Sequence, residues 1–219
     1  MKTGILTFIV IFLIFVTACD KLGPIINGTS TQPADSNNIL FEDDFSNPNS
    51  GWDRPNSDDV ITDYEGGQYH IQINRPDFFV FTNPYRTFND VRVEVKAGLV
   101  SGNTDNNFGV ICRFVDSNDF YAGLISSDGF YGIFKVKGGE YNLLGMESMG
   151  SSAVIKGGSE INLIRLDCIG NNIELFVNGV QIDMRQDTEF TAGDVGLIAG
   201  AYRNAGTHIA FDNFIVYKP

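Results

Sequence analysis

The chain has 219 residues and carries 27 acidic against 15 basic side chains, which gives a formal net charge of −12 at pH 7. This length suits one β-sandwich-sized domain. The acidic balance argues against nucleic acid as a partner, because that binding depends on neutralising phosphates with Lys and Arg. It also disfavours electrostatic docking to anionic lipid.

Residues 1–18 have the layout of a secretory signal peptide. Lys2 supplies a positive start, an apolar run follows, and the segment ends in the small residues Thr17 and Ala18. The run is shorter than the roughly 20 apolar residues that a spanning helix needs. Asp20 follows without a basic stop-transfer cluster, which argues against the alternative of a retained transmembrane anchor.

The segment Val-Thr-Ala-Cys at 16–19 resembles the bacterial lipobox. The resemblance implies that the leader is removed and that Cys19 becomes a lipid-modified N-terminus. The protein would then be anchored to a membrane and face away from the cytoplasm. Several acyl chains on one residue hold firmly, whereas a single chain binds only marginally. Residues 19–38, rich in Asn, Ser, Thr, Pro and Gly, predict a flexible tether after this anchor.

From residue 39 to 219, short apolar-alternating runs are separated by turn residues. The Asn-Gly pair at 178–179 lies between two such runs and is the preferred dipeptide of a type I′ hairpin. Asp-Gly at 128–129 and Gly-Gly at 138–139 repeat the pattern. No segment keeps a 3.6-residue apolar period free of glycine. Many short strands at this spacing predict an all-β domain, an antiparallel sandwich or a barrel.

Several segments of this region resemble the concanavalin A-like jelly rolls, in particular the laminin-G-like and 3-keto-disaccharide hydrolase-type domains of bacterial surface proteins. The segments are FEDDFSNPNSGW, FGVICRFVDSNDFYAGLISSDGFYGIFK, INLIRLDCIGNNIELFVNGVQI and the closing FDNFIVY. The resemblance implies a jelly-roll β-sandwich over 39–219 with a glycan site on its concave sheet. Such signatures are a better guide to fold than to activity.

Strand parity selects residues for such a site. Segments 107–115, 119–126 and 130–137 are predicted to form a meander, in which successive side chains alternate faces. One almost wholly apolar face is predicted to be the core side; it carries Phe108, Val110, Cys112, Phe114, Phe120, Ala122, Leu124, Phe130, Phe134 and Val136. The opposite face carries the predicted carbohydrate-binding residues Arg113, Tyr121, Tyr131 and Lys135. Aromatic rings beside cationic donors suit a sugar, although tyrosine is also an ordinary packing residue in strands.

Trp52 is a further carbohydrate-binding candidate, because it lies in a loop rich in Gly, Pro and Asn, where its ring could stack on a sugar. The favoured alternative is that it plugs the end of the sandwich, since burying so large a side chain stabilises a fold strongly.

Two cysteines remain besides Cys19, and both lie in strand-like runs. Cys112 and Cys168 either form a disulfide, as an oxidising compartment allows, or stay as two buried thiols. The chain has no Cys-x-x-Cys and no His/Cys cluster, so a zinc site is not expected.

Acidic residues at the two ends of the domain suggest a metal. The first and last strands of jelly rolls often lie side by side, which would bring Asp43 and Asp44 near Asp212. Clustered carboxylates attract calcium, so these three residues are the candidates for a structural calcium site; separate caps and surface charges are the alternative. No other cofactor is required.

The sequence favours binding over catalysis. The Glu-x-Asp-x-x-Glu strand motif of family 16 glycosidases, which belong to this fold, does not occur, and His70 and His208 are isolated in the sequence. The expected function is therefore carbohydrate binding by a membrane-tethered lipoprotein, with a glycan or envelope polysaccharide as the partner. A hydrolase or lyase of the 3-keto-disaccharide hydrolase type is one alternative, and a protein-interaction or envelope-scaffold module is another.

Overall fold

The computed structural model describes residues 38–219, which form a β-sandwich. The predictions for the signal peptide, Cys19 and the tether lie outside the described residues, apart from residue 38. No helix in this part of the chain is long and apolar enough to cross a membrane.

Fifteen strands follow one another along the described chain. They are β1 (Ile39–Asp43), β2 (Val60–Glu65), β3 (Gln68–Ile73), β4 (Phe78–Thr82), β5 (Val91–Ser101), β6 (Asn106–Asp116), β7 (Asp119–Ile125), β8 (Phe130–Lys137), β9 (Glu140–Leu143), β10 (Gly150–Ser151), β11 (Asn162–Ile169), β12 (Asn172–Val177), β13 (Val180–Gln186), β14 (Asp194–Ala201) and β15 (Thr207–Tyr217). Asn178 and Gly179, both with positive φ, make the predicted two-residue turn between β12 and β13.

The strands form two antiparallel sheets. The eight-stranded sheet has the order β13-β12-β11-β5-β15-β3-β2, with β1 also paired to β15. The seven-stranded sheet has the order β10-β8-β7-β6-β14-β4, with β9 also paired to β8. This arrangement confirms the predicted all-β sandwich, and it confirms that the first and last strands lie side by side.

The main hydrophobic core lies between the two sheets. Alternate residues along the strands of the eight-stranded sheet, such as Val93, Ile164 and Leu175, are fully buried there. A disulfide between Cys112 on β6 and Cys168 on β11 links the two sheets across this core. Burying each such aliphatic side chain stabilises the fold by about 1.5–3 kcal/mol.

The prediction of which residues share a face of the seven-stranded sheet holds between β7 and β8, where Phe120 pairs with Val136, but it is wrong between β6 and β7. The register pairs Cys112 with Tyr121 and Ile111 with Ala122. Directly paired residues share a face, so Tyr121 lies in the main core beside Cys112, whereas Ala122 lies on the outer face. Alternation within a strand defines its two faces, but only the pairing register decides which face of its neighbour each one joins.

Irregular pairing at the end of β6 adds to this difference. The register between β6 and β7 shifts beyond Cys112, and Arg113 has φ +50°. Past this point Phe114 belongs to the outer-face cluster, although simple alternation would keep it on the same face as Cys112. An inserted residue of this kind bends the strand and changes the direction of the following side chains.

Candidate functional site

The outer face of the seven-stranded sheet is lined with aromatic rings. Five partly buried rings, which we call the concave aromatic face, pack there: Phe79, Phe81, Phe114, Phe134 and Tyr141. Beneath them lies a second cluster of fully buried apolar residues: Ile111, Phe120, Ala122, Leu124, Val136 and Ile198.

This face is concave, because rings from its two edges meet. Phe79 on β4 and Tyr141 on β9 are stacked, with ring centroids 4.6 Å apart and planes at 17°. Four strands, β8, β7, β6 and β14, separate β4 from β9 in the sheet. Neighbouring strands lie about 4.8 Å apart, so a flat sheet would hold these two strands far beyond the reach of their side chains. The sheet must therefore curl towards this face.

Glycines give the rings room to lie against the sheet. A Cβ at Gly200 on β14 would approach Cε1 of Phe79 to 2.5 Å. A Cβ at Gly132 on β8 would come within 2.5 Å of Leu143 and 3.1 Å of Phe134. Any larger side chain at these positions would push the rings off the floor of the concave face.

Two polar groups on this face lack partners among the described residues. Asn107 pairs with Gly200, which pairs with Phe79, so the three lie in one row across the face. The Oδ1 atom of Asn107 is buried and accepts no hydrogen bond there, which is costly unless a ligand or water satisfies it. Burial raises the pKa of Tyr141 to about 12. Its hydroxyl makes no hydrogen bond to any described residue and is available to a ligand, whereas the half-buried Asn107 side chain has to turn outward to bring its amide to one.

Two of the predicted carbohydrate-binding residues, Tyr121 and Arg113, are buried and present no surface to a sugar. Tyr121 is fully buried; its hydroxyl donates to Oδ1 of Asp187 at 2.5 Å and accepts from the backbone N–H of Phe190 at 3.2 Å. Burial, together with the hydrogen bond to Asp187, raises the Tyr121 pKa strongly. Arg113 is 2% exposed and donates to the carbonyl oxygens of Phe190 and Gly170, at 3.0 and 2.7 Å.

The other two strand residues are engaged elsewhere. The Lys135 Nζ forms an ion pair with Oδ2 of Asp187 at 2.6 Å, beside a polar cavity of about 360 Å³. The Tyr131 ring lies against Gly150, where a Cβ would approach it to 2.6 Å. The prediction that Arg113, Tyr121, Tyr131 and Lys135 form one exposed surface is therefore wrong.

Trp52 plugs the sandwich, as its favoured alternative predicted. It is 4% exposed, and its ring packs against Phe45 and Phe214 at centroid distances of 5.4 and 5.0 Å. The indole N–H donates to Oδ2 of Asp43 at 2.9 Å. A buried and hydrogen-bonded indole does not present a stacking surface to a sugar.

The predicted calcium ligands do not gather. Within residues 38–219 no three Asp, Glu, His or Cys side chains are placed to hold a metal ion. Both carboxylate oxygens of Asp43 accept hydrogen bonds from the protein, from the N–H of Phe45 and the indole of Trp52. Asp44 is exposed, and hydrogen bonds from Ser46 lower its pKa. Asp212 lies opposite Lys96 on β5.

The concave aromatic face was missed in the sequence, although β4 carries a signal for it. Its residues, FFVFT, place Phe79 and Phe81 on one face of an edge strand and Val80 on the other. An edge strand that is apolar on both faces indicates a second buried or ligand-binding surface.

Comparison with known proteins supports the fold and goes no further. No family model and no curated protein matches the chain. The carbohydrate-binding module CBM66 from Bacillus subtilis matches with a TM-score of 0.63 at 15% identity, over 77% of this chain and 96% of that one. A protein of unknown function with a galectin-like fold from the same organism matches at 0.62 and 12%, over 82% and 96%. A Bacillus licheniformis β-glucanase matches at 0.58 and 14%, over 82% and 97%. The domain is thus a concanavalin A-like jelly roll.

Proposed function

We propose that the domain binds a carbohydrate on its concave aromatic face, without catalysing a reaction on it. The observation that carries this proposal is the set of five partly exposed rings on the concave side of a jelly-roll sheet. Sugars have apolar ring faces that pack on aromatic side chains and hydroxyls that need hydrogen-bond partners. The face offers both, since the Tyr141 hydroxyl can donate or accept, and the half-buried Asn107 side chain can present its unpartnered amide oxygen on turning outward.

The structural relatives favour the same ligand class. CBM66 is named as a carbohydrate-binding module, and it matches over almost its whole length, as does the β-glucanase. Structural likeness at 14–15% identity shows only the fold. The proposed ligand class therefore rests on the aromatic face, and the likeness to these proteins adds support to it. β-Glucan is accordingly the first ligand to test.

The tethering of this domain is part of the proposal. A lipid on Cys19 and a tether over 19–38 would hold the sandwich at a membrane, facing outward, where it meets polysaccharide. Growth with a labelled fatty acid should label the wild-type protein and leave the Cys19→Ala variant unlabelled. An unlabelled wild-type protein would contradict the anchor without affecting the carbohydrate site.

The binding experiment compares two faces of the molecule. The Cys19→Ala protein is passed over β-glucan and a wider panel of immobilised glycans, alone and with Phe79→Ala or Tyr141→Ala. We expect each of these changes to weaken retention by about tenfold, a loss of ~1.4 kcal/mol in binding free energy, because the sugar loses a stacking contact. Phe176→Ala is the matched control, because Phe176 is a partly buried ring on the outer face of the eight-stranded sheet.

Two results would decide against the proposal. One is failure of every glycan to retain the protein; the other is an equal loss in Phe176→Ala and Phe79→Ala. The same β-glucan samples, assayed for new reducing ends, test the non-catalytic part. Steady release that depends on protein concentration would make the domain a hydrolase.

A further inference from the structure

The two histidines of the chain, 138 residues apart in sequence, lie side by side on the outer face of the eight-stranded sheet. His70 is on β3 and His208 is on the neighbouring strand β15. The register pairs His208 with Gln72, two residues from His70, so the histidines are diagonal neighbours on one face. Their strand neighbours Ile71 and Ile209 are fully buried, which places both imidazoles on the solvent side.

The ring nitrogens of the pair converge. Nδ1 of His70 and Nε2 of His208 are 2.9 Å apart, and the ring centroids are 5.0 Å apart. When both rings are neutral, one of these nitrogens donates its N–H and the other accepts with its lone pair. If the donating ring moves its proton to its other nitrogen, two lone pairs are directed into the same space.

We propose that His70 and His208 form a two-imidazole chelate for a divalent transition metal, with Cu²⁺ and Ni²⁺ preferred over Zn²⁺. Metal–imidazole bonds are about 2.0–2.1 Å long. Two such bonds at 90°, the cis arrangement of square-planar or tetragonal metals, place the nitrogens about 2.9 Å apart, whereas a tetrahedral angle requires about 3.3 Å. The hydrogen-bonded nitrogens are already about this far apart, so the cis arrangement can form by turning the rings, without moving the strands apart.

Binding requires a small movement of the rings. In a hydrogen bond the nitrogens point at each other, whereas in a chelate they point at a common third position. Each ring has to turn about χ2, a torsion that is broad for histidine. Both side chains are only partly buried, so the eight-stranded sheet leaves room for this turn.

The remaining coordination positions are open. No third His, Cys, Asp or Glu completes a group with this pair in the described part of the chain. Asp63 lies opposite His70 on β2 but is held in an ion pair with Arg54. Water or a ligand from outside the protein would therefore fill the other positions, and the metal would exchange readily.

Protons compete with the metal for the same nitrogens. Because an imidazole nitrogen binds metal only in its neutral form, each bound metal displaces protons, and the affinity of the pair for metal falls as the solution is acidified.

This site is independent of the proposed carbohydrate site, because it lies on the other sheet. The test uses the Cys19→Ala chain, so that the thiol of Cys19 does not bind or reduce the metal. Calorimetry with Cu²⁺, Ni²⁺ and Zn²⁺ at pH 7.5 is expected to show one site per chain, with affinity falling in that order. The electron paramagnetic resonance spectrum of the Cu²⁺ complex is expected to show coupling to two imidazole nitrogens.

His70→Ala and His208→Ala are each expected to weaken Cu²⁺ binding by at least about tenfold. Losing a residue that merely orients a metal ligand already lowers metal affinity by about that factor, and these variants remove a ligand itself. Gln72→Ala, which alters a neighbour on the same face of β3, is the matched control and should bind as the parent does. Thermal unfolding without metal checks that all variants are folded, and Ni²⁺ should raise the Tm of the parent and of Gln72→Ala but not that of either histidine variant. Binding that persists in the histidine variants, or a spectrum with oxygen ligands only, would overturn the proposal.

Discussion

The two faces of the seven-stranded sheet are held in different ways. On the inner face, the Tyr121 hydroxyl and both terminal nitrogens of Arg113 are hydrogen-bonded, and the Cys112–Cys168 disulfide ties the sheet to its partner. On the concave aromatic face, the rings stay partly exposed, and the polar groups of Asn107 and Tyr141 have no partner among the described residues.

Tyr121 and Tyr141 make this difference concrete. They are the same residue type on neighbouring parts of one sheet, and burial raises the pKa of both. Only Tyr121 uses its hydroxyl within the protein, donating to Asp187. A satisfied buried group contributes to stability, so the inner face serves the fold. The concave aromatic face, where the Tyr141 hydroxyl has no partner among the described residues, is the one proposed to bind a ligand.

The largest expected effect is loss of the inter-sheet disulfide. Replacing both cysteines with Ala in the double variant Cys112→Ala/Cys168→Ala should lower the free energy of unfolding by about 4 kcal/mol, because the bond closes a long loop in the unfolded chain. The two cysteines are 56 residues apart. Urea unfolding measures the loss. A difference below about 1 kcal/mol would show that the inner face does not depend on this link.

A smaller loss is expected from the buried arginine. Arg113→Met keeps the apolar stem but leaves the carbonyls of Phe190 and Gly170 without their donor, along with the half-exposed carboxylate of Asp90. We expect a loss of about 2–3 kcal/mol in the free energy of unfolding. Arg75→Met, which alters an arginine whose ion pair with Asp59 is more than half exposed, is the control and should cost less.

The tyrosine pair tests the comparison directly. Tyr121→Phe should lower the free energy of unfolding by about 1 kcal/mol, because it removes a buried donor to a carboxylate. Tyr141→Phe removes the same atom from the concave aromatic face and should change stability by less than about 0.5 kcal/mol. Equal effects on stability, or a larger one at Tyr141, would remove the distinction between the two faces.

The smallest expected effect is a pH dependence centred on Asp187. Although burial works in the opposite direction, hydrogen bonds from Lys135 and Tyr121 hold the pKa of Asp187 below its usual 3.8. The unfolded state therefore binds this proton first, so the stabilisation is complete above pH 3.8 and is lost as the pH falls through the folded-state pKa. Between pH 5 and 2, the free energy of unfolding should depend less steeply on pH in Tyr121→Phe than in the parent, whereas Tyr141→Phe should keep the pH dependence of the parent.

Much of the fold could be predicted from the sequence, because its signals are local. Asn178 and Gly179 both adopt positive φ, so this pair, lying between two apolar-alternating runs, marks a hairpin from the local sequence alone. Alternating apolar residues likewise mark strands without knowledge of their neighbours. The position of Trp52 as a plug could also be anticipated, because its size makes exposure costly.

The candidate site could not be predicted in the same way, because it depends on pairing. Tyr121 and Phe120 are adjacent in β7, and parity says only that they point in opposite directions. Their environments depend on the register of β7 against β6 and on the irregularity at Arg113. The contact between Phe79 and Tyr141 depends further on the curvature of the whole sheet.

The sequence by itself determined that residues 39–219 form an antiparallel all-β domain, since strand and turn propensities act over a few residues, while the choice of a sandwich over a barrel came from the resemblance to the jelly rolls. It also indicated a leader and a lipid anchor at Cys19, which remain predictions. Only the tertiary structure decided which face of each strand meets the core and that His70 and His208 lie together. These features depend on contacts between distant segments, and no local pattern specifies the register that creates them.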